Sequence, residues 1–124
     1  MKQPLIIQPS NYTPNVNFNV SGVLSMKGRS LMLDAVAFYD PLIHWLTDLD
    51  VPSVHFTIEL DYFNTSSSKK ILEMLKTVDC NNKIKEFVVY WAFESDDEEI
   101  LLKGQILEER LKNARFCFIE LAGV

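Results

Sequence analysis

The sequence is short of basic charge. Its 124 residues include 12 lysines and arginines against 17 aspartates and glutamates, which gives a formal net charge of −5 at pH 7. Nucleic-acid binding depends on a basic surface that meets the phosphates, and no block of basic residues supplies one here. We therefore expect no nucleic acid among the partners of this protein.

Cysteines and long apolar runs are also scarce. Cys80 and Cys117 are too far apart for metal-ligand spacing and too few for the disulfide framework of a small secreted domain. The first residues, MKQPLIIQPS, contain early prolines and no long apolar run, so they predict neither a signal peptide nor a membrane anchor. We expect a cytoplasmic protein with reduced thiols and no membrane partner.

The residue constellations of enzymes are missing as well. None of the four glycines forms a GxGxxG motif or a P-loop. His44 and His55 have no companion at metal-ligand spacing. Glu59 and Asp61 are a carboxylate pair suited to acid–base chemistry, but a solvated strand face explains them more simply. We expect a protein that is not an enzyme and that binds no cofactor and no metal.

Five runs of residues have the patterns of strands: 17–20, 23–26, 54–63, 87–93 and 115–121. The first two flank the turn signal Ser21-Gly22 and predict a hairpin that ends at Gly28. In the third, alternation predicts that Phe56, Ile58, Leu60 and Tyr62 share one buried face.

Three segments have the apolar spacing of helices. The first spans 34–49 and contains Pro41, which predicts a kink or a second helix start capped by Asp40. The second spans 66–78. The third begins at a capping box, Ser95–Glu98, and runs to Asn113; its acidic residues suit a helix start better than a metal site.

The order hairpin-α-β-α-β-α-β predicts one α/β domain over residues 1–124. Strands joined through helices should lie parallel with right-handed crossovers. We therefore expect a mixed sheet of four or five strands and three helices, in two or three layers.

Four consecutive hydroxyl residues, Thr65–Ser68, lie at the predicted strand-to-helix corner. A helix cap uses one side chain, which Asn64, Thr65 or Ser66 can supply. The other hydroxyls lie at the carboxyl edge of a parallel sheet, where α/β folds commonly bind ligands and partners. A phosphoryl group there would add about −1.5 to −2 charges, stabilised by free amides and by Lys69 and Lys70. A capped helix and a phosphorylation switch both remain open.

The segment LDYFNTSSSK, Leu60–Lys69, resembles the signature of the SiaC-type regulatory phosphoproteins. Three further segments agree with that family in order and spacing: TP at 13–14, GVLSMKGRS at 22–30 and FYDPLIHWL at 38–46. The resemblance implies a fold similar to STAS domains, the fold of anti-sigma factor antagonists.

The resemblance also implies partner switching. In the family, a dedicated serine/threonine kinase phosphorylates the threonine of the Asn-Thr-Ser-Ser block, and a dedicated phosphatase reverses the modification. The unphosphorylated form binds and activates a diguanylate cyclase, which raises cyclic di-GMP and favours aggregation and biofilm growth. Carried onto this sequence, the resemblance implies that Thr65 is the phosphoacceptor, with Ser66 and Ser67 as alternatives. Ser68 extends the hydroxyl run, so a different acceptor within the run stays open. The residues expected to shape the turn or to bind partners are Tyr62, Asn64, Ser66, Ser67, Ser68 and Lys69.

The sequence departs from the family at Leu31–Asp34, where family members often carry a Pro-Glu-Asn triplet. This loop precedes the first helix and bears on the identity of the partner. The main alternative function is an anti-sigma factor antagonist that acts on a transcriptional regulator. The sequence is also compatible with a small enzyme that uses Glu59 and Asp61, and with a plain scaffold that has a capped helix.

Overall fold

The structure is a computed structural model that describes residues 2–122. Within this range it contains three helices and six strands. In chain order they are β1 (Leu5–Ile7), β2 (Asn15–Phe18), β3 (Val23–Ser30), α1 (Ala35–Thr47), β4 (Ser53–Phe63), α2 (Thr65–Asp79), β5 (Glu86–Glu94), α3 (Glu98–Glu109) and β6 (Arg115–Leu121). None of these helices is long and apolar enough to span a membrane.

The six strands form one mixed sheet in the order β1-β2-β3-β4-β5-β6. The pairs β1–β2 and β2–β3 are antiparallel, and the strands from β3 to β6 pair in parallel. The predicted hairpin and α/β class are therefore confirmed. The expected number of four or five strands was wrong, because the three-residue run LII is too short to stand out and becomes a strand only by pairing with β2.

All three helices cover the same face of the sheet. Each parallel crossover leads to the next strand in the same direction, and right-handed crossovers then place every helix on one side. The ring of Phe18 on β2 lies 5.4 Å from Trp45 of α1, and the indole of Trp91 on β5 donates to the carbonyl of Ile100 on α3 at 2.9 Å. The result is a two-layer domain whose second sheet face has no helix on it.

A bulge near the end of β3 and β4 explains two wrong predictions. Gly28 does not end the hairpin; it has a φ of +129° and lies within β3. Gly28 pairs with Leu60 but Arg29 pairs with Tyr62, so β4 contains one extra residue, Asp61. The extra residue inverts the alternation of β4. Tyr62 is therefore 47% exposed, not buried as expected, and Phe63 takes the buried face.

The starts of α1 and α3 also differ from the predicted ones. α1 is one helix, capped by Asp34 and continuous through Pro41, so the second start capped by Asp40 was wrong. Its buried residues pack into one core on both sides of the proline, which holds the two halves together. α3 is capped by Asp97, not Ser95, because β5 extends to Glu94 and a turn follows it. α3 also ends earlier than expected, at Glu109.

Candidate functional site at the start of helix α2

Asn64 forms the corner between β4 and α2. Its backbone is extended, and its side-chain oxygen accepts a hydrogen bond from the amide of Ser67 at 2.9 Å, so it is the helix cap. Its side-chain amide donates to the carbonyl of Met32 at 3.3 Å, and its backbone amide donates to Ser30 at 3.2 Å. Asn64 therefore ties the corner to the end of β3 and leaves Thr65 and Ser66 free of a capping role.

Thr65 and Ser66 are exposed in the first turn of α2. Among residues 2–122, neither hydroxyl has a hydrogen-bond partner. The backbone amides of these two residues precede the first intrahelical bond, which Ser68 donates to the carbonyl of Asn64 at 2.9 Å. The structure thus presents two free hydroxyls beside two backbone amides that lie before the first intrahelical hydrogen bond.

Ser67, in contrast, is fully buried. Its hydroxyl lies 2.7 Å from the hydroxyl of Ser30, from which it accepts, and it donates to the Ser30 carbonyl at 3.1 Å. The Ser30 hydroxyl is also 2.7 Å from that of Tyr39 on α1. Burial raises the pKa of Tyr39 to about 12, because the buried site disfavours the charged phenolate. These three hydroxyls join β3, α1 and α2, and Ser67 is not available at the surface.

Two grooves flank Thr65. The α1-side groove is lined by Leu33, Asp34, Ala35 and Val36 from the start of α1 and by Thr65, Ser66, Lys69 and Lys70 from α2. The α3-side groove is lined by Tyr62, Phe63, Asn64, Thr65, Ser68, Glu99 and Lys103. Thr65 lines both grooves, whereas Ser66 lines one of them.

Large apolar side chains are exposed in and beside these grooves. Leu33 is 100% exposed, Val36 54% and Tyr62 47%. Tyr12 is also exposed and lies with Leu31, Met32 and Leu33 around a neighbouring depression. A cluster of exposed apolar residues on a small domain is typical of a surface that contacts another protein. The loop Leu31–Asp34 contributes to this surface.

The lysines near Thr65 differ in their environments. Lys69 is exposed in the α1-side groove. Lys70 forms ion pairs with Asp40 at 2.7 Å and Glu73 at 2.9 Å, and its hydrogen bond to Asp40 contributes most to raising the pKa of the ammonium. Lys103, on α3, lies in the α3-side groove. Sequence reasoning named Lys69 and Lys70 but missed Lys103, because nothing local in the sequence places α3 beside this corner.

The carboxylates considered as a catalytic pair lie on the sheet face without helices. Glu59 pairs with Lys27 at 3.4 Å, and Asp61 pairs with Arg29 at 3.7 Å, both across β3 and β4. Each carboxylate is thus matched with a neighbouring cation on an open surface. This arrangement is that of a solvated strand face, the simpler of the two interpretations of the sequence.

The histidines are not brought together. His44 is exposed on α1, whereas the Nδ1 of His55 lies 2.8 Å from the hydroxyl of Tyr90 on the open sheet face. The hydroxyl of Ser53, which donates to Glu86 at 2.8 Å, is the main reason that the pKa of Glu86 lies below its ordinary value. Over residues 2–122 no group of three or more histidine, cysteine or acidic side chains is placed to hold a metal ion.

Residues 7–121 match the family model described as SiaC family regulatory phosphoprotein. The chain belongs to the SiaC family of regulatory phosphoproteins. The resemblance found in LDYFNTSSSK and the three further segments is therefore confirmed. No curated protein sequence matches the chain.

Solved structures of SiaC from Pseudomonas aeruginosa have a similar fold. Apo-SiaC is 22% identical, with a TM-score of 0.74 over 94% of this chain and 98% of that chain. A second SiaC structure is 21% identical, with a TM-score of 0.71, and the match covers 98% of this chain and 99% of that chain. The SiaC chain in complex with the diguanylate cyclase SiaD is 21% identical, with a TM-score of 0.74, and the match covers 96% of this chain and 99% of that chain. These likenesses show the SiaC fold for this chain, and the likeness to STAS domains stays a prediction.

Proposed function

We propose that this protein is a phosphorylation-controlled partner-switching regulator in signal transduction, acts in the cytoplasm and is not itself an enzyme. A serine/threonine kinase phosphorylates Thr65, and a phosphatase reverses the modification. The unphosphorylated protein binds and activates a diguanylate cyclase, which raises cyclic di-GMP and promotes aggregation or biofilm growth. Support comes from family membership and from the similar SiaC of Pseudomonas aeruginosa, which is described as the activator of SiaD and in complex with it.

The observation that carries this proposal is the position of the Thr65 side chain. It is exposed, it has no capping role, and it lines both grooves at the carboxyl edge of the sheet. The hydroxyl of Ser67 is buried, so a kinase could reach it only after this corner had opened. Ser68 is half-buried. Ser66 is exposed but lines one groove. We therefore retain Thr65 as the phosphoacceptor, with Ser66 as the alternative.

A phosphoryl group on Thr65 would change this surface strongly. It adds about −1.5 to −2 charges at pH 7 next to the exposed apolar side chains of Leu33, Val36 and Tyr62. A partner that packs on these side chains would have to desolvate that charge, and a change of about 1.4 kcal/mol already alters affinity tenfold. In this proposal Tyr62, Ser66, Ser68 and Lys69 contact partners, while Asn64 and Ser67 hold the turn in place.

Phosphopeptide mapping with the cognate kinase tests the acceptor. We expect a single phosphorylated peptide modified at Thr65, which disappears in Thr65→Ala. Thr57→Ala is the matched control, because Thr57 is also an exposed threonine but lies on the open sheet face. Its modification should equal that of the wild type. Phosphorylation that persists in Thr65→Ala would overturn the assignment.

The switch itself is tested by titrating the cognate diguanylate cyclase with the two forms of the protein. The unphosphorylated form is expected to bind and to raise cyclase turnover, and the Thr65-phosphorylated form to bind at least about tenfold more weakly. Equal affinities of the two forms would contradict the proposal. Binding to an anti-sigma factor without an effect on the cyclase would support the anti-sigma antagonist function instead.

A further inference from the structure

We infer that the ammonium group of Lys103 on α3 forms an ion pair with the phosphoryl group of phosphorylated Thr65. Modification at the start of α2 would therefore change the contacts of a different helix. The inference rests on the proposed phosphorylation of Thr65. It concerns a residue that lies far from Thr65 in the sequence and that only the fold brings into the same groove.

The ammonium group of Lys103 is already held near Thr65. Its Nζ donates to the carbonyl of Phe63 at 3.2 Å, and Phe63 precedes Thr65 by two residues. The same atom lies 4.5 Å from the centroid of the Phe63 ring and 4.9 Å from that of Tyr62. The side chain is only 27% exposed. A cation held in this way has already lost much of its side-chain freedom, so it binds an anion with a smaller entropic penalty.

Glu99 is the present ionic partner of Lys103 and would be displaced. Its carboxylate lies 3.4 Å from the Lys103 Nζ, one turn earlier on α3, and the Glu99 side chain is 69% exposed. A phosphoryl group carries about −1.5 to −2 charges at pH 7 against −1 for a carboxylate. Because an exposed carboxylate returns to water readily, an exchange of Glu99 for the phosphoryl group is favourable.

The lysines that follow Thr65 in the sequence are less suitable. Lys70 is held by two carboxylates, those of Asp40 and Glu73. Lys69 is exposed in the α1-side groove, where water and salt screen its charge. The partly buried ammonium of Lys103 is screened less, so it attracts a nearby anion more strongly.

Drawing the phosphoryl group towards Lys103 has a consequence for the surface. The group would cover Tyr62 and Ser68 in the α3-side groove and would leave Leu33 in the α1-side groove exposed. Phosphorylation would then alter one of the two grooves more than the other.

The test measures the second pKa of the phosphoryl group by phosphorus NMR. Phosphothreonine is incorporated at position 65 during synthesis of the full chain, so the result depends on no kinase and no partner. In Lys103→Gln we expect this pKa, ordinarily about 6, to rise by roughly 0.5 to 1, because a neighbouring cation has been removed. Lys69→Gln is the matched control and is expected to change it by less than half as much.

A second variant, for which we expect the second pKa of the phosphoryl group to change in the opposite direction, makes the test independent of whether Lys103→Gln folds. Glu99→Gln removes a negative charge from the α3-side groove and should lower the second pKa of the phosphoryl group. The inference is overturned if this pKa is unchanged in Glu99→Gln, or if Lys69→Gln raises it as much as Lys103→Gln. Failure of a kinase to modify Thr65 would count against the proposed function and not against this contact.

Discussion

The two ends of α2 are built in opposite ways. At its C-terminal end, Asp79 is only 6% exposed and accepts three backbone hydrogen bonds, from the amides of Lys112 at 2.8 Å, Asn113 at 2.9 Å and Ala114 at 2.7 Å. At its N-terminal end, Thr65 and Ser66 leave their hydroxyls in solvent beside two grooves. We call the C-terminal end, which buried hydrogen bonds join to the connection between α3 and β6, the fixed end, and we call the exposed residues Thr65 and Ser66 the open end.

This difference separates stability from regulation within one helix. The fixed end joins α2 to the connection between α3 and β6, so it contributes to the free energy of unfolding. The open end carries groups whose modification changes a surface without removing buried contacts. Ser67 marks the limit of the open end, because its hydroxyl is already part of the buried network with Ser30 and Tyr39.

The largest effect is expected at the fixed end. Asp79→Ala removes the acceptor of three backbone amides, and we expect the free energy of unfolding to fall by about 2 to 4 kcal/mol. Urea unfolding followed by circular dichroism measures this loss. The control is Glu109→Ala, an exposed acidic residue of α3 that should change stability by less than about 0.5 kcal/mol. A loss below about 1 kcal/mol in Asp79→Ala would remove the contrast between the two ends.

The next effect concerns alkaline pH and the buried hydroxyl network. The folded-state pKa of Tyr39, about 12, is higher than the ordinary tyrosine value of 10.0. Tyr39 therefore makes its full contribution to stability below pH 10, and this is lost as the pH rises from 10 to 12. Because a difference of one pKa unit corresponds to about 1.4 kcal/mol, the free energy of unfolding should fall by roughly 2 to 3 kcal/mol.

Tyr39→Phe isolates this contribution. The variant should be about 1 kcal/mol less stable than the wild type at pH 7, through the lost hydrogen bond, and should lose less stability on going to pH 12. Unfolding at a series of pH values compares the two slopes. Tyr12 is an exposed tyrosine, so the stability of Tyr12→Phe should fall with rising pH as that of the wild type does. If the stability of Tyr39→Phe also falls as much as that of the wild type, the alkaline loss does not come from Tyr39.

The smallest effect separates neighbouring serines at the open end. Ser67→Ala removes a buried hydroxyl that bonds to Ser30, so we expect a loss of about 1 to 2 kcal/mol in unfolding free energy. Ser66→Ala should stay within about 0.5 kcal/mol of the wild type, because its hydroxyl is exposed. Thermal unfolding of both variants measures these losses. Equal losses of unfolding free energy would show that the boundary between exposed and buried hydroxyls does not lie between Ser66 and Ser67.

Much of the order of elements could be predicted from local patterns. Alternation in β4 and apolar spacing in α2 are properties of adjacent residues, and both elements were found close to their observed bounds. The segment LDYFNTSSSK likewise identified the family from adjacent residues alone. The errors lie where distant residues decide the outcome. Tyr62 is exposed because of a bulge against β3, and the three-residue β1 forms because β2 is beside it.

By itself, the sequence determined the run of hydroxyls, the amphipathic helix that follows them and the membership of the SiaC family, because these depend on residues next to one another. The tertiary structure alone decided that Ser67 is buried while Thr65 and Ser66 are exposed, since burial depends on Ser30 and Tyr39 arriving from other elements. It also brought Lys103 into a groove with Thr65. Packing joins residues that are far apart in the chain, and a local pattern contains no record of which of them will meet.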